Sequence, residues 1–393
     1  MNHASLGHAR VNHKAAGRAA SGHPWLFASD VTMVEAQPGD TVRVLDPKGK
    51  LVGTAHYSST SQIALRLLSR QSIPIDRTFF LERLSAALAH RELCGKDSDA
   101  YRVVFSEADL LPGLIVDRYG PYIVMQTLSQ GMERARDMIA DCLRELLNPA
   151  GILARNDASV RTKEGLPLET VTLAGEIPPR VTINMNGLQL AADLLHGQKT
   201  GVYLDQRENY LAAARWAQAL NKPRVLDCFT STGGFALHLA KHSESVEAVD
   251  SSAGALQIAE SNAEANGVAN IQFRQADAFD YLAGLSDARR YSMVILDPPA
   301  FAKSRRQLED AARGYKEINR QALRLLEPGG ILVTCSCSHH MNEAVFLEAI
   351  AEAALDTGKT LRVLERRTQA SDHPILLTVP ETLYLKCLVL QVV

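Results

Sequence analysis

The chain has 393 residues, of which 46% are hydrophobic and 22% charged, a composition typical of globular proteins with packed cores. Nothing in it resembles a signal peptide, and no apolar run reaches the roughly 20 residues that cross a bilayer, so we expect a cytoplasmic protein with no membrane partner. The formal net charge of −2 at pH 7 does not by itself indicate a nucleic-acid binder.

The charge is unevenly distributed along the chain. Residues 1–75 carry eight Lys or Arg side chains against four Asp or Glu, a balance of +4 that leaves −6 for the remainder. A basic module on an acidic body is consistent with RNA contact, and an ordinary solvated surface explains it nearly as well.

The N-terminal region is predicted to be a β-barrel over residues 1–73. The stretch "DTVRVLDPKGKLVGTAHYS" contains two alternating runs joined by "DPKGK", which is a hairpin signal. A third strand is expected in "SQIALRLLS", where apolar residues recur at alternate or adjacent positions.

The middle region, residues 74–190, is predicted to be a small α+β domain. Apolar residues recur at helical spacing in "DRTFFLERLSAALAHREL". Strands separated by Pro-Gly and Tyr-Gly-Pro turns follow, and "MERARDMIADCLRELLNPAGILAR" is an amphipathic helix that ends at Asn-Pro.

Strands and helices alternate through the C-terminal region, residues 191–393. This βαβ pattern predicts a parallel, doubly wound sheet, whose ligands bind at the carboxyl ends of the strands. The chemistry is therefore expected in the tails of the strands, which read "LDCFTSTGG", "AVD", "QADAF", "LDPPAF" and "TCSCSHH".

Three acidic residues at successive strand ends favour S-adenosylmethionine as the cofactor. Asp227 precedes a Gly-Gly turn without the glycine spacing that binds a pyrophosphate, and a carboxylate there suits a cationic or neutral ligand. Asp250, 23 positions later, is placed to accept hydrogen bonds from ribose hydroxyls, and Asp277 lies where an adenine amino group needs an acceptor. Any one of these acids alone is better explained by a loop cap or a helix N-cap, and it is the coincidence of three that favours the cofactor. NAD is the weaker alternative.

The fourth strand ends in "LDPPAF". Pro298 and Pro299 fix the backbone and remove two hydrogen-bond donors, so this loop is expected to be rigid. Phe301 could stack on a planar ring, and Asp297 could hydrogen-bond a ring nitrogen. The alternative is a tight structural turn.

Cys335 and Cys337 flank Ser336 at the end of the fifth strand. Strand residues two apart are roughly 6.6 Å apart, which is too far for an easy disulfide, and no second Cys/His pair stands at zinc-site spacing. Core packing is the plain alternative for both thiols. A thiolate that adds to carbon 6 of a pyrimidine makes carbon 5 nucleophilic, so one thiol here would suit methylation at carbon 5.

The chain resembles, nearly end to end, the bacterial 23S rRNA cytosine-5 methyltransferases of the large ribosomal subunit. The stretches that carry the resemblance are "GHPWLFASD", "EADLLPGLIVDRYG", "KTGVYLDQREN", "DCFTSTGGFALHLA", "DPPAFAKS", "RGYKEIN", "TCSCS" and "SDHPILLTVPETLYLKC". The resemblance implies an α/β fold in which a Rossmann-like doubly wound methyltransferase domain follows an N-terminal PUA-type β-barrel and a small central α+β domain.

The resemblance also implies roles for particular residues. The nucleophile falls on Cys337, Cys335 becomes a packing residue, and Asp297 holds the cytosine. S-adenosylmethionine would be surrounded by Tyr203, Gln206, Arg207, Asp227, Phe229, Gly233, Asp250, Ser251, Asp277 and Ala278. Substrate RNA would meet Pro298, Pro299, Phe301, Lys303, His373, Arg10, Lys14 and Arg18.

The base that removes the carbon 5 proton is a further question. His373 is a candidate, although a buried structural histidine explains it equally, and Glu343 is a poorer one. Ala300 stands where related enzymes with two working cysteines carry the second. No metal is expected, the expected partner is 23S rRNA or its precursor, and a homodimer is expected by resemblance.

Two other classes of function remain open at this stage. One is methylation of another RNA base or of an exocyclic amine, for which Cys337 would be dispensable. The other is a catalytically silent RNA-binding assembly factor, which would need neither the acids at the strand ends nor the thiol.

Overall fold

The computed structural model of the protein describes residues 7–95, 97–197, 200–288, 290–301 and 307–393. The chain forms two compact units. The first comprises Met1–Ile183, Ala192–Gly201 and Asp372–Thr382, and the second comprises Asn184–Ala191, Val202–Ser371 and Leu383–Val393. The three-domain division at residues 73 and 190 stays a prediction.

The first unit begins with a six-stranded sheet. Its strands are β1 (Gly7–Val11), β2 (Trp25–Leu26), β3 (Val31–Glu35), β4 (Thr41–Leu45), β5 (Leu51–Tyr57) and β6 (Leu65–Ser69). They lie in the order β2-β6-β5-β4-β1-β3, and only β1 and β4 are parallel neighbours. The predicted hairpin is confirmed as the β4–β5 pair, whose turn is closed by Asp46 Oδ1 accepting from the backbone N–H groups of Lys48 and Lys50 at 2.8 Å each.

A helix that the sequence analysis did not predict, α1 (His13–Ala20), follows β1. Asn12 caps this helix, because its side-chain oxygen accepts a hydrogen bond from the backbone N–H of Ala15 at 2.9 Å. The buried face of α1 consists of Ala15 and Ala19 alone. Small alanine side chains give a faint apolar stripe, so the helical period is hard to see in the sequence.

A second sheet of five strands belongs to the same unit and has its own apolar core. Its strands are β7 (Ala100–Phe105), β8 (Leu114–Tyr119), β9 (Tyr122–Thr127), β10 (Gly151–Asn156) and β11 (Glu169–Gly175), in the order β11-β10-β9-β8-β7. The helices of this region are α2 (Arg77–Leu93), α3 (Gln130–Arg134), α4 (Arg136–Leu147) and α5 (Val160–Lys163). The predicted end of the amphipathic helix is confirmed, since Asn148 stands in the left-handed conformation that commonly follows a helix.

The hairpin formed by β12 (Val181–Met185) and β13 (Leu188–Ala192) leads towards the second unit along the chain. Its turn is Asn186-Gly187, and both residues have positive φ, at 54° and 80°. Such two-residue turns favour Asn-Gly because asparagine and glycine tolerate the left-handed region best.

The second unit is built on a seven-stranded sheet. Its strands are β14 (Arg224–Cys228), β15 (Ser245–Asp250), β16 (Ile271–Gln275), β17 (Tyr291–Leu296), β18 (Leu326–Ser336), β19 (Leu361–Arg367) and β20 (Lys386–Val392). The helices are α6 (Arg207–Ala219), α7 (Gly234–Ala240), α8 (Ala253–Ala265), α9 (Ala278–Gly284), α10 (Leu308–Leu325) and α11 (Glu343–Asp356).

The strand order of this sheet is β16-β15-β14-β17-β18-β20-β19. The first five strands are parallel, and β20 runs antiparallel to both β18 and β19. The chain reverses direction across the sheet between β14 and β17, and ligands of doubly wound sheets bind at the carboxyl side of such a switch point. The predicted α/β doubly wound fold is confirmed, and the candidate loops lie at this side of the sheet.

The central strands are apolar on both faces because helices cover both sides of a parallel sheet. Met293, Val294, Ile295 and Leu296 of β17 are all fully buried. Each such side chain contributes on the order of 1.5–3 kcal/mol through burial. In the described part of the chain, no helix has the length and apolar character needed to cross a membrane.

Candidate active site

Asp227 is fully buried in β14, one residue before the strand ends and the loop to α7 begins. Its Oδ2 accepts a hydrogen bond from the Thr230 hydroxyl at 2.6 Å and another from the backbone N–H of Ala236 at 3.0 Å. The carboxylate therefore ties the strand end to the first turn of α7.

This loop turns sharply through left-handed backbone. Phe229, Ser231 and Gly233 have φ values of 65°, 50° and 87°. A Cβ atom at position 233 would lie only 3.1 Å from Leu237 Cδ1 and 3.3 Å from Ala259 Cβ. Because a residue with a Cβ atom is strained at this φ, both the conformation and the space favour glycine.

The surroundings of the Asp227 carboxyl group show whether it could bind the cationic amino group of S-adenosylmethionine. Burial raises the pKa of Asp227 to about 7; the Thr230 hydrogen bond opposes the rise and the charge of Asp297 adds to it. The second oxygen, Oδ1, is buried and has no hydrogen-bond partner among the described residues. An unsatisfied buried oxygen costs free energy, and a cationic donor would remove that cost. The residues here therefore fit the amino group of S-adenosylmethionine.

Asp250 ends β15 beside this loop. Its Oδ2 accepts from the backbone N–H of Ser231 at 2.9 Å, and its Oδ1 accepts from the backbone N–H of Ser252 at 2.8 Å. A carboxylate oxygen can accept more than one hydrogen bond, so both oxygens of Asp250 can still accept from ribose hydroxyls. Ser251, between them, is exposed. Binding of ribose by Asp250 and Ser251 stays a prediction.

Asp277 is the N-cap of a helix, which is the alternative to cofactor binding that the sequence left open. It caps α9, since its Oδ1 accepts from the backbone N–H groups of Phe279 at 2.8 Å and Asp280 at 3.2 Å. Ala278, the first residue of the helix, is buried. The cap accounts for one carboxylate oxygen, and contact of Asp277 or Ala278 with adenine stays a prediction.

Asp297, directly after β17, is held by a chain of amides. Gln206 is buried, and its Nε2 donates to Asp297 Oδ1 at 2.9 Å. The Gln206 Oε1 accepts from Asn209 Nδ2 at 2.6 Å, and Asn209 Oδ1 accepts from Arg367 Nε at 2.8 Å. Gln206, predicted to contact the cofactor, is therefore placed against the candidate substrate-binding carboxyl group.

Two further residues of the "YLDQR" segment lie at the same end of the sheet. Burial raises the pKa of Tyr203, and the charges of Asp297, Asp205 and Cys337 add to that rise. Tyr203 is therefore close to both predicted catalytic residues. Arg207 is buried at the start of α6, where its carbonyl oxygen accepts from Asn186 Nδ2 at 2.9 Å. The placement of Arg207 links the start of α6 to the β12–β13 turn.

The proline loop and the cysteine loop lie together. Cys337 Sγ is 3.9 Å from the carbonyl oxygen of Pro298, which is buried, while Pro299 is exposed. The Phe301 ring packs against Tyr315, with centroids 4.6 Å apart, and its edge lies over Gly314. Phe301 is thus part of an aromatic cluster in this state. Lys303, predicted to meet RNA, lies outside the described residues.

The two cysteines have different surroundings. Cys335 is fully buried inside β18 and pairs in register with Cys387 of β20. Burial raises the pKa of the Cys335 thiol well above its ordinary value, and the neighbouring Cys387 adds to the rise. Cys337 follows the last residue of β18 and is only partly buried. The packing position expected for Cys335 is confirmed by its burial.

Lys386 is a residue at this site that the sequence analysis missed. It is buried at the start of β20, in register with Ser336, and its Nζ donates to the carbonyl oxygens of Ser338 at 2.7 Å and Tyr384 at 2.8 Å. Burial lowers the pKa of Lys386 to about 8, and the charge of Cys337 opposes the decrease. The signal in the sequence is one lysine at the head of the apolar run "KCLVLQVV".

The remaining predicted RNA contacts belong to the first unit. Arg10 and Lys14 are exposed. Arg18 instead forms an ion pair with buried Asp30 at 2.6 Å and lies over the Phe27 ring. The structure thus places Arg18 in a structural contact while leaving Arg10 and Lys14 accessible to phosphate.

His373 and Glu343, the candidate bases, are both engaged elsewhere. His373 is buried in the first unit, where its Nδ1 lies 3.0 Å from Asp372 Oδ1. Asp372 also accepts from the backbone N–H of Arg102 at 2.9 Å. Glu343 begins α11 and lies 3.5 Å from Arg366. Both side chains therefore have structural contacts, and a role for either as the base stays a prediction.

The described residues at this edge of the sheet offer carboxyl groups, thiols and the ammonium group of Lys386. All six cysteines lie in the described part of the chain, and none of them forms a disulfide. Within the described ranges, no cluster of three or more His, Cys, Asp or Glu side chains could hold a metal ion.

The order of the strands and the acids at their carboxyl ends define the class of the protein as a methyltransferase that uses S-adenosylmethionine. Residues 154–389 match the S-adenosylmethionine-dependent methyltransferase family, and residues 9–70 match the PUA-like domain family. The predicted enzyme class, cofactor and PUA-like N-terminal domain are confirmed by these matches.

The chain belongs to the family of ribosomal RNA large subunit methyltransferase I. Proteins of that name share 41% identity over 382 residues in Tolumonas auensis and 42% over 377 residues in Photobacterium profundum. The first alignment covers 94% of this chain and 96% of the relative, and the second covers 93% and 94%. The family predicted from the sequence motifs is therefore confirmed.

Solved structures show the same fold over nearly the whole chain. SMU.776 in complex with SAH superposes with a TM-score of 0.84 at 22% identity, covering 97% of this chain and 99% of that one. A SAM-dependent methyltransferase from Streptococcus mutans gives a TM-score of 0.83 at 22% identity, with the same coverage. At this level of identity the likeness concerns the fold.

Proposed function

We propose that the protein transfers a methyl group from S-adenosylmethionine to carbon 5 of a cytosine in 23S ribosomal RNA, with Cys337 as the nucleophile. The observation that carries the proposal is the position of Cys337. Its thiol lies at the end of β18, 3.9 Å from the Pro298 carbonyl oxygen in the loop that also holds Asp297. Methylation of an exocyclic amine would give a thiol at this place no task.

The thiolate of Cys337 would act first. It adds to carbon 6 of the cytosine, forming the S–C6 bond and making carbon 5 electron-rich. When bound, S-adenosylmethionine supplies the electrophilic methyl group. The carbon 5 proton is then lost to solvent, and the electron pair of its bond restores the C5–C6 double bond. The S–C6 bond breaks at the same time, its electron pair returns to sulfur, and the methylated base and the free thiolate are released.

Asp297 would hold the base during these steps. A carboxyl group can hydrogen-bond ring nitrogen 3 and the exocyclic amino group of a flipped cytosine, and hydrogen bonds to this edge identify the base. The Gln206 amide fixes one oxygen of Asp297 at 2.9 Å, so the carboxyl group is held before substrate binds. Cytosine recognition would therefore use a preorganised group.

The cofactor would lie across the ends of β14, β15 and β16. Its amino group would bind Asp227 Oδ1, its ribose Asp250, and its adenine the region of Asp277 and Ala278. Gly233 and the left-handed backbone at Phe229 would let the main chain approach the ligand closely. Tyr203, beside both Asp297 and Cys337, would border the methyl group.

The RNA would be held mainly through phosphate contacts. The PUA-like domain carries exposed Arg10 and Lys14, which suit the backbone of RNA without reading its sequence. Relatives bear the name of large-subunit methyltransferases, which supports 23S rRNA or its precursor as substrate. A cytoplasmic location and a homodimer are part of this proposal.

A trapping experiment tests the proposal. Wild type, Cys337→Ala and the matched Cys335→Ala are incubated with tritiated cofactor and large-subunit RNA that contains 5-fluorocytosine, from which the enzyme cannot be released because fluorine replaces the carbon 5 proton. We expect a covalent protein–RNA adduct with wild type and Cys335→Ala, and none with Cys337→Ala.

Other outcomes of this experiment would reject specific parts of the proposal. Methyl transfer to ordinary RNA that survives Cys337→Ala would remove the thiol mechanism and favour methylation of an amine. Binding of RNA without transfer to any substrate would favour a silent assembly factor.

A further inference from the structure

Lys386 occupies an unusual position next to the candidate nucleophile. The register of β18 and β20 sets it opposite Ser336, and its Nζ donates to the Ser338 carbonyl oxygen at 2.7 Å. Lys386 therefore contacts the chain on both sides of Cys337: Ser336 is its cross-strand partner, and Ser338 accepts its hydrogen bond. The charges of Lys386 and Cys337 therefore act on each other.

The ammonium group is buried at a cost that its visible contacts do not offset. Only 6% of Lys386 is exposed, and a buried charge is expensive unless it is paired. Its two acceptors are neutral carbonyl oxygens, those of Ser338 and Tyr384. Among the described residues no Asp or Glu forms an ion pair with it, and an ammonium group has three hydrogens to donate. A neighbouring anion would complete the site.

The tyrosines and acids near Cys337 do not favour a thiolate. Burial raises the pKa of Tyr203, and it raises that of Tyr315 to about 12, so both phenols are neutral at pH 7. The charges of Asp297 and Asp205 act on the same Tyr203 ring as Cys337 does. Negative charge in this part of the site would disfavour a second anion.

Two groups with basic nitrogens that lie near the sulfur in the described part of the chain differ in charge. His339 faces Tyr384 and lies near Lys386, but burial lowers the pKa of His339 and the charge of Lys386 lowers it further. Its imidazole is therefore neutral at pH 7. The ammonium group of Lys386, in contrast, brings a positive charge that acts on Cys337.

We infer that Lys386 is a positioning residue whose ammonium group holds Cys337 as a thiolate, the reactive form of the nucleophile. The catalytic consequence of this inference rests on the proposed function, whereas the ion pair is inferred from the contacts of Lys386 with the residues on either side of Cys337. An opposite charge within about 4–6 Å of a titrating group shifts its pKa by about 1–3 towards the charged form. Reactive cysteines next to lysine follow this pattern.

The same ion pair acts twice in the proposed reaction. Before addition, the thiol proton is lost to solvent and the thiolate attacks carbon 6. When the adduct breaks, the S–C6 electron pair returns to sulfur, and the ammonium group stabilises the thiolate that leaves. This second effect is relevant because Ala300 stands where related enzymes carry a second cysteine.

The test is the pH dependence of Cys337 alkylation by iodoacetamide, measured by peptide mass spectrometry on the full chain without RNA or cofactor. Lys386→Met removes the charge, and Lys386→Arg keeps it. The matched control is Lys359→Met, because Lys359 is a half-buried lysine that donates to the carbonyl oxygen of Leu326 at the opposite end of β18.

We expect a wild-type midpoint clearly below the ordinary thiol value of about 8.5. Lys386→Met should move the midpoint up by about 1–2, so that alkylation at pH 7 slows about 10- to 100-fold. Lys386→Arg should restore most of the rate, and Lys359→Met should behave as wild type.

Two results would overturn the inference. The first is a wild-type midpoint at or above about 8.5, which needs no variant and so holds even if Lys386→Met does not fold. The second is an equal shift in Lys386→Met and Lys386→Arg, which would assign the effect to packing. Failure of the RNA trap with a low thiol midpoint would reject the proposed function while leaving the ion pair standing.

Discussion

The side-chain amide of Gln206 donates a hydrogen bond to Asp297 Oδ1 at 2.9 Å. The orientation of the amide is settled by its other end, where Oε1 accepts from Asn209 at 2.6 Å. A carboxyl group after β17 is thus positioned from the start of α6, about 90 residues earlier in the chain. The geometry of the candidate base-binding group depends on a residue that the sequence motifs assigned to the cofactor.

The first prediction separates these two roles of Gln206. Gln206→Met keeps the length of the side chain and removes the donor, so Asp297 loses its alignment. A hydrogen bond to a charged group contributes about 1.5–3 kcal/mol, which corresponds to about a 10- to 100-fold slower methyl transfer. Affinity for S-adenosylmethionine, measured by calorimetric titration, should change less than about threefold on this reasoning. The opposite result, weak cofactor binding with an unchanged rate, would return Gln206 to the cofactor.

The second prediction concerns pH and Asp227. Because burial raises its pKa to about 7, the free enzyme carries a neutral carboxyl group below that pH and a carboxylate above it. A cationic ligand favours the carboxylate. Affinity for S-adenosylmethionine should therefore rise between about pH 6 and pH 8 and level off above, with a slope approaching tenfold per pH unit well below the pKa.

Asp227→Asn is the control for this pH dependence. The amide is nearly isosteric but does not titrate, so affinity should become flat over the same range. At pH 8 it should be about 10- to 100-fold weaker than wild type, since a charge-assisted hydrogen bond is lost. A wild-type profile that is already flat would contradict the assignment of Asp227 to the amino group.

The fold of the second unit could be predicted because its signals are local. The apolar run "MVIL" at Met293–Leu296 and the tail "DPP" after it locate a buried parallel strand and its loop without knowledge of any neighbour. The same holds for Asp227 and Gly233 in the first loop. Switch-point geometry then brings these tails together.

Other parts of the site could not be predicted because they depend on long-range pairing. Lys386 lies opposite Ser336, the neighbour of Cys337, only because β20 inserts antiparallel beside β18, and nothing near position 337 indicates that register. The Gln206–Asp297 contact likewise joins residues that are 91 positions apart in the chain. The helix α1 escaped prediction for a local reason, since two buried alanines leave little periodicity.

A third prediction tests the glycine of the cofactor loop. Gly233→Ala forces a side chain into left-handed backbone and against Leu237, so we expect a loss of about 1–3 kcal/mol in stability of the loop and at least tenfold weaker cofactor binding. Gly254→Ala, in α8, is the matched control, because no atom lies within 4 Å of its added Cβ and alanine favours helices. Equal effects of both changes would show that the conformation at Gly233 is unimportant.

A fourth prediction concerns the stability of the first unit. Arg66 and Glu164 form a buried ion pair at 2.8 Å, and the Ser58 hydroxyl donates to the other Glu164 oxygen at 2.6 Å. Arg66→Met leaves a buried carboxylate without its cation, which should lower the free energy of unfolding by about 3–5 kcal/mol. The double variant Arg66→Met/Glu164→Leu should recover much of this loss in a urea titration. A double variant that is less stable than the single one would show that Glu164 stabilises the fold without Arg66, through contacts such as the Ser58 hydrogen bond.

The last prediction distinguishes the basic residues near the N-terminus by what their charges contact. Arg10→Gln and Lys14→Gln remove exposed charges, so each should weaken RNA binding and reduce the slope of log affinity against log salt by about 0.7–0.9. Neither should change the unfolding temperature by more than a degree or two, since surface changes usually stay within about 0.5 kcal/mol.

Arg18→Gln should have the reverse pattern. Arg18 is paired with buried Asp30 at 2.6 Å, so the change leaves that carboxylate with a weaker partner and should destabilise the fold by about 1–3 kcal/mol. Filter-binding titrations at several salt concentrations and a thermal melt of each variant measure both effects. If Arg18→Gln lowers the salt slope while Arg10→Gln and Lys14→Gln do not, phosphate must approach α1 from the side of the Asp30 pair, and the exposed face of Arg10 and Lys14 is then an ordinary solvated surface.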